Sequence, residues 1–269
     1  MADLDVHSAR AYFLQHVIPE YESLQETLND GFFGMRREIR ALGRAAEACL
    51  HLADHVARDS TCNSTIEGAP KAKLYIEALT QRSSAFALVR DVANCFKHGA
   101  ITRAGARVAS LDSFHERWVL VRYEDDSGFY YDIRKTVMVQ TLSGAMASAE
   151  KIVRLALNAW CEELVTLGAI PSPAQIDDGK PLYIARSKCP PTPGITFLCE
   201  EGEHFSAKPM EAIYDSEHAV LRAPSRGDRI KTNVRAYFQV HPSRFSSTPR
   251  HLHRTHLSIL SVEGDGTPQ

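Results

Sequence analysis

Arg90, Asp91, Asn94, Lys97 and His98 fall within one stretch, Arg90-Asp-Val-Ala-Asn-Cys-Phe-Lys-His98. An imidazole is the side chain best suited to proton transfer near neutral pH, so His98 is the candidate base or acid of this set. Arg90 and Lys97 are the candidate stabilisers of negative charge developing beside it. Asn94 or Asp91 can fix the tautomer of the ring through its second nitrogen. The same residue types also make a solvated helix face, or a polar network in which Asn94 and Asp91 bond a neighbouring segment. Structural, binding and catalytic uses are all open from these residues alone.

Whatever its use, the set needs a helix to hold it. At about 100° per residue, the five polar residues span an arc of roughly 120°, and Leu88, Val89, Val92, Ala93, Cys95 and Phe96 cover the other side. A helix starting after Ser83-Ser84 is therefore expected. Upstream, residues 7 to 28 read as a helix kinked or split at Pro19. A long helix is expected from about Phe32 to Arg58, on the stripe Met35, Ile39, Leu42, Ala46, Cys49, Ala53 and Val56. Another helix should start near Pro70 and carry Leu74, Tyr75, Ala78 and Leu79.

Two further histidine groups raise a metal alternative. His51 and His55 are four residues apart on the long helix, and with His98 they would make a three-His site, to which Asp54 or Asp91 would add a carboxylate. The 100° arithmetic instead sets His51 and His55 nearly opposite the apolar stripe, as exposed residues. In His251-Leu-His-Arg-Thr-His256 only His251 and His253 share a face of an extended chain, and no ligand set results. No metal and no cofactor are expected. Nor does the chain carry a Gly-rich phosphate loop, a Ser nucleophile elbow or a Cys-His protease signature.

Beyond His98 the period changes. Residues 107 to 111, 117 to 123 and 129 to 139 are rich in Val, Tyr, Phe and Ile, with Asp125-Asp-Ser-Gly128 as a turn, and predict a β excursion at about 104–140. A closing helix follows over 143–167, with Met146, Ile152, Leu157, Trp160 and Leu164 facing a core and Gly168 as its stop. Ala169-Ile-Pro-Ser-Pro173 reads as a linker. After it, short β-prone runs at 182–185, 195–199, 219–222, 234–240 and 257–262 predict a β-rich unit over 174–262, with 263–269 as a tail. The fold class is α+β: a helical bundle with an inserted β-hairpin or small sheet over 1–168, then the β-rich unit.

Between Ser216 and Arg254 eight Lys and Arg residues stand against Glu217 and Asp228, an excess hidden by the net charge of −2. Arg226, Arg229, Lys231 and Arg235 are the candidate surface for a phosphate backbone or an acidic protein partner. Solvated arginines on strands are the plainer account of them. With 44% hydrophobic and 24% charged residues among 269, the chain has the composition of a folded protein. Six scattered cysteines without a Cys-x-x-Cys pair fit a reducing compartment. The acidic start Met1-Ala-Asp-Leu-Asp5 and the lack of a long apolar run give no secretory signal and no membrane span, so a cytoplasmic location is expected.

The stretch from Arg90 to His98, with His51-Leu-Ala-Asp-His55 before it and a β excursion and a Trp160 helix after it, resembles a group of bacterial proteins similar to the HEPN superfamily. The resemblance covers about residues 32–168. It implies a helical nucleotide- or RNA-directed domain, acting in prokaryotic defence or stress. It further implies a metal-independent endoribonuclease with Arg90, Asn94, Lys97 and His98 as its catalytic set and Asp91 in binding; a homodimer is compatible with it. Metal-free RNA cleavage needs a base for the 2′-hydroxyl proton, an acid for the leaving 5′-oxygen and a cation on the phosphorane. Seven residues separate Arg90 from His98, a longer spacing than that of the HEPN ribonuclease motif. A non-catalytic binding or scaffold protein is the alternative reading, and a metal-dependent enzyme using His51, His55 and His98 is the second.

Overall fold

The computed structural model describes residues 8–59, 62, 71–171, 184–200, 209–218, 220–225, 228, 230–241 and 254–264. The chain is mixed α and β, and it divides into two compact units, each discontinuous in sequence. The first joins Met1–Thr27, Ile39–His115 and Val137–Asp178; the second joins Leu28–Glu38, Glu116–Thr136 and Gly179–Gln269. This differs from the contiguous division at residue 168 expected from the linker. The reason lies in two apolar segments of the first 168 residues, which take their strand or packing partners from beyond the linker.

The helices are α1 (Ala9–Tyr12), α2 (Ile18–Asn29), α3 (Arg37–Arg58), α4 (Lys71–Arg82), α5 (Ser84–His98) and α6 (Ala149–Thr166). The split expected at Pro19 occurs as a π turn over Phe13–Val17. Proline has no N–H to give the carbonyl four residues back, so the turn before it is free to widen. On α5 the Ser83 hydroxyl accepts the Phe86 N–H at 3.2 Å, and Gly99 ends the helix at φ 77°. Buried Trp160 of α6 meets Phe86 of α5 edge-on at 5.7 Å, and its indole N–H donates to the Cys49 carbonyl of α3 at 2.9 Å. That bond satisfies the ring's polar atom inside a core that also holds Leu24, Leu42, Leu52, Tyr75, Leu157 and Leu164. No helix among the described residues is long and apolar enough to cross a membrane.

The strands are β1 (Phe32–Phe33), β2 (Phe114–Asp125), β3 (Gly128–Gln140), β4 (Met146–Ser148), β5 (Gly194–Glu200), β6 (Met210–Asp215), β7 (Val220–Arg222), β8 (Ile230–His241) and β9 (Arg254–Gly264). One sheet has the order β1-β5-β8-β9, the other β4-β3-β2-β6-β7. Phe32 and Phe33, expected to open the long helix, instead pair in parallel with Thr196 and Phe197. The chain then turns through Gly34, Met35 and Arg36 at φ 110°, 55° and 54° before α3 begins. A Cβ on Gly34 would collide with the Leu198 carbonyl, so only glycine fits there. The β2–β3 hairpin stands as expected, whereas residues 107–111 make no strand beyond one bridge, Ala100 with Ser110. Met146, expected in a core, is 46% exposed on β4. Phe33, Trp118, Leu120, Ile195, Phe197, Ile213, Ile230, Val234 and Ala236 form the main core of the second unit.

Candidate functional site

A groove of about 410 Å³ opens on the first unit, lined by Glu47, Leu50, His51 and Asp54 of α3, Ile76 of α4, and Ala93, Asn94 and Lys97 of α5. The contributions of α3 and α5 follow helical arithmetic. Glu47, Leu50, His51 and Asp54 stand at i, i+3, i+4 and i+7, one stripe of a helix. Ala93, Asn94 and Lys97 repeat the last three positions of that pattern, and Arg90 is its first. Asp91 and His98 are turned about 90–110° away from the axis of this stripe, which decides their different fates.

Asp91 is 1% exposed. One of its oxygens accepts the Arg103 guanidinium at 2.6 Å and the other the Arg107 backbone N–H at 2.6 Å. It fastens the segment after α5 onto the helix and is engaged on both oxygens. Arg107 adds a bond from its guanidinium to the Ser84 carbonyl at 3.1 Å. His98 is exposed on the last turn of α5 and does not line the groove. The imidazole that does is His51, with Asp54 three residues on along the same helix. Arg90 is half-buried; burial first, and then the neighbouring Arg103 charge, pull its guanidinium below the ordinary arginine range, against the smaller opposing pull of Asp91 and Glu77. Cys95, beside Asn94 in sequence, is buried with its thiol pushed up to about 11 by burial and then by Asp91, so it is no nucleophile at neutral pH.

The set His51, His55 and His98 does not form. His51 lines the groove, while His55 stacks on Tyr12 with ring centroids 3.8 Å apart. No group of three His, Cys, Asp or Glu among the described residues is placed to share a metal ion. Helix spacing puts His51 and His55 near each other but cannot bring the end of α5 to them.

The basic surface of the second unit is only partly described. Arg226 and Arg229 lie outside the described residues. Lys231 and Arg235 are exposed on β8, on one face of the strand. Arg222 is paired with Asp228 at 2.6 Å, and Arg122 reaches the same carboxylate at 3.0 Å. The bonds from Arg222, from the Ser225 N–H and hydroxyl, and from Arg122 hold Asp228 far below the usual carboxylate range. One acid thus neutralises part of the excess counted in the sequence.

Glu47, Leu50 and Ile76 had not been singled out as site residues. The signal for Glu47 and Leu50 was present, as the i, i+3, i+4, i+7 stripe they share with His51 and Asp54. Ile76 carries no signal of its own, because which face of α4 borders the groove depends on how three helices pack. No family model, curated protein or solved structure matches the chain.

Proposed function

We propose that the groove between α3, α4 and α5 binds a phosphate-bearing ligand, with RNA as the class that the HEPN resemblance implies, and that it transfers a proton to or from that ligand. The observation that carries this reading is the convergence of His51 and Asp54 from one helix with Asn94 and Lys97 from another on a single groove. A groove of this size, lined by apolar Leu50, Ile76 and Ala93 together with a few polar groups, has the make-up of a small-ligand site. The proton-transfer role moves from His98 to His51. In metal-free cleavage of RNA the 2′-oxygen bonds to phosphorus as the bond to the 5′-oxygen breaks: His51 takes the 2′-hydroxyl proton and returns it to the leaving 5′-oxygen, Asp54 orients its ring, Lys97 offsets charge on the phosphorane and Asn94 holds the substrate by hydrogen bonds.

The test is cleavage of a pooled single-stranded RNA in the presence of a chelator. His51→Ala should reduce cleavage by roughly 10² to 10⁴-fold, the range of a lost general acid or base. His98→Ala should retain it. Loss of activity in His98→Ala with full activity in His51→Ala would return the role to the end of α5. A second reading has its own support. Glu47 and Asp54 outnumber Lys97 in the groove, a balance that suits hydrogen-bond donors of a ligand better than its phosphates. RNA that binds saturably, is released by Asn94→Ala and is never cut would select that non-catalytic binding role.

A further inference from the structure

The groove's shortage of positive charge leaves open where the phosphate of such a ligand would sit. One turn back from Asn94 on the same stripe of α5 stands Arg90, half-buried. Among the described residues it makes no hydrogen bond and no ion pair. A guanidinium is a costly group to withdraw from water without a partner. Its neighbourhood holds a second cation, Arg103, whose charge acts on it more strongly than the carboxylates of Asp91 and Glu77. Asp91 is the adjacent residue, and its buried carboxylate grips Arg103 at 2.6 Å, fixing that guanidinium against α5 beside Arg90. The Arg103 side chain remains 37% exposed. A guanidinium has five N–H donors, and the bond to Asp91 uses one Arg103 nitrogen, Nη2. The second Asp91 oxygen holds the Arg107 backbone N–H at 2.6 Å, so the segment carrying Arg103 is tied at two points. Asp91 is therefore a positioning residue: it holds a second guanidinium that keeps part of its surface exposed.

We propose that Arg90 and Arg103 form an oxyanion subsite, placed by Asp91, that takes a phosphate group of the ligand whose remaining atoms occupy the groove. Asp91 fixes one of the two guanidiniums, and a guanidinium offers the paired donors that tetrahedral oxyanions accept best. The division of labour follows the charges: the groove supplies Glu47, Asp54 and Asn94 for hydrogen bonds, while Arg90 one turn back on α5 and Arg103 of the segment after α5 supply the cations. The inference rests on the groove reading for the rest of the ligand, but the subsite itself is testable with inorganic phosphate alone. Burial is the largest cause that lowers the proton affinity of Arg90, and a bound anion would offset that cost to its charged form.

The experiment is thermal unfolding and calorimetric titration of the full chain with inorganic phosphate, against sodium chloride of equal ionic strength. Wild type should bind phosphate saturably and gain thermal stability that chloride does not give. Arg90→Gln should weaken phosphate binding by at least about tenfold, the loss expected of one charge-assisted contact. Without phosphate, Arg90→Gln should unfold no earlier than wild type, because it removes a cation that has no ion-pair partner among the described residues. Arg103→Lys keeps the charge beside Asp91 and should fold, yet bind phosphate several-fold more weakly for want of the guanidinium fork, by about the same class of contact. Lys151→Gln, on exposed α6 surface, is the control and should bind as wild type does. The proposal is overturned if phosphate leaves wild type unchanged, if Arg90→Gln binds phosphate as well as wild type, or if Arg90→Gln unfolds early in its absence. Phosphate binding that survives while no RNA binds would sink the groove reading and leave the subsite standing.

Discussion

Lys135 shows how the second unit accommodates a charge inside it. Its side chain is 2% exposed and its ammonium meets the Asp30 carboxylate at 2.5 Å and the Glu38 carboxylate at 2.9 Å; the Phe32 carbonyl also accepts from it. Glu38 is itself fully buried. Removing the cation leaves a buried carboxylate uncompensated, so Lys135→Ala should destabilise by about 3–5 kcal/mol, measured by denaturant unfolding. The double variant Lys135→Met/Glu38→Leu should recover most of that loss; if it does not, the cluster stabilises through more than charge balance. Acid acts on neighbouring groups of this kind. Burial raises the Asp30 carboxyl, but the bonds from Arg37 and Lys135 outweigh it and bring it below the ordinary value; Asp228 is lowered further by Arg222, Ser225 and Arg122. A lowered carboxylate contributes stability that is present above its unfolded value, about 3.9, and is lost as pH falls through the folded one. Unfolding midpoints should therefore drop below about pH 4. Asp228→Asn should flatten that drop; an unchanged acid limb would show that these pairs do not govern it.

At the scale of elements, the groove exists because α3 and α5 lie close. A Cβ on Gly43 of α3 would stand 2.5 Å from the Phe96 ring of α5. Gly43 lies one turn before Glu47 on the groove stripe, so the residue that permits the approach also sets the wall. Alanine favours a helix over glycine by about 0.5–1 kcal/mol. Against this, forcing the ring aside costs about 1–3 kcal/mol. Gly43→Ala should then lower the unfolding temperature and weaken ligand binding together. A raised unfolding temperature would mean that Phe96 swings away freely and that glycine is not what spaces the helices. Most of the helices were legible in sequence because their cues are local: Ser83 and the change of period after His98 bracket α5, and Pro19 marks the π turn. β1 was not, because the apolar pair Phe32-Phe33 fits a helix stripe as well as a strand, and its partner β5 lies far along the chain.

The whole molecule is organised by those long-range pairings. The main core of the second unit takes Phe33, Trp118 and Leu120 from before the linker and Ile195, Phe197, Ile213, Ile230, Val234 and Ala236 from after it. A chain ending at Ala169 keeps all six helices yet loses the larger part of that core. It should retain helical circular dichroism while exposing Trp118 and Phe33, which would be seen as binding of an apolar dye and self-association. A truncated chain that stays monomeric and binds no dye would show that residues 28–38 and 116–136 need no partner from the C-terminal strands.

Local signals in the sequence determined the helix boundaries around the central motif, the β2–β3 hairpin, the β-prone runs that became β5, β7, β8 and β9, and the polar arc of α5. These follow from periods of 3.6 and 2 residues and from capping and turn residues, which act over a few positions. Tertiary structure alone decided which members of that arc share a groove. His98 and Asp91 lie toward one edge of the arc, and only the packing of α3 and α4 against α5 selects the stripe of Asn94 and Lys97 and supplies His51 as its imidazole. The same holds for the two units. A sequence read in order suggests domains in order, whereas parallel strand pairing and core formation join apolar segments wherever they occur in the chain.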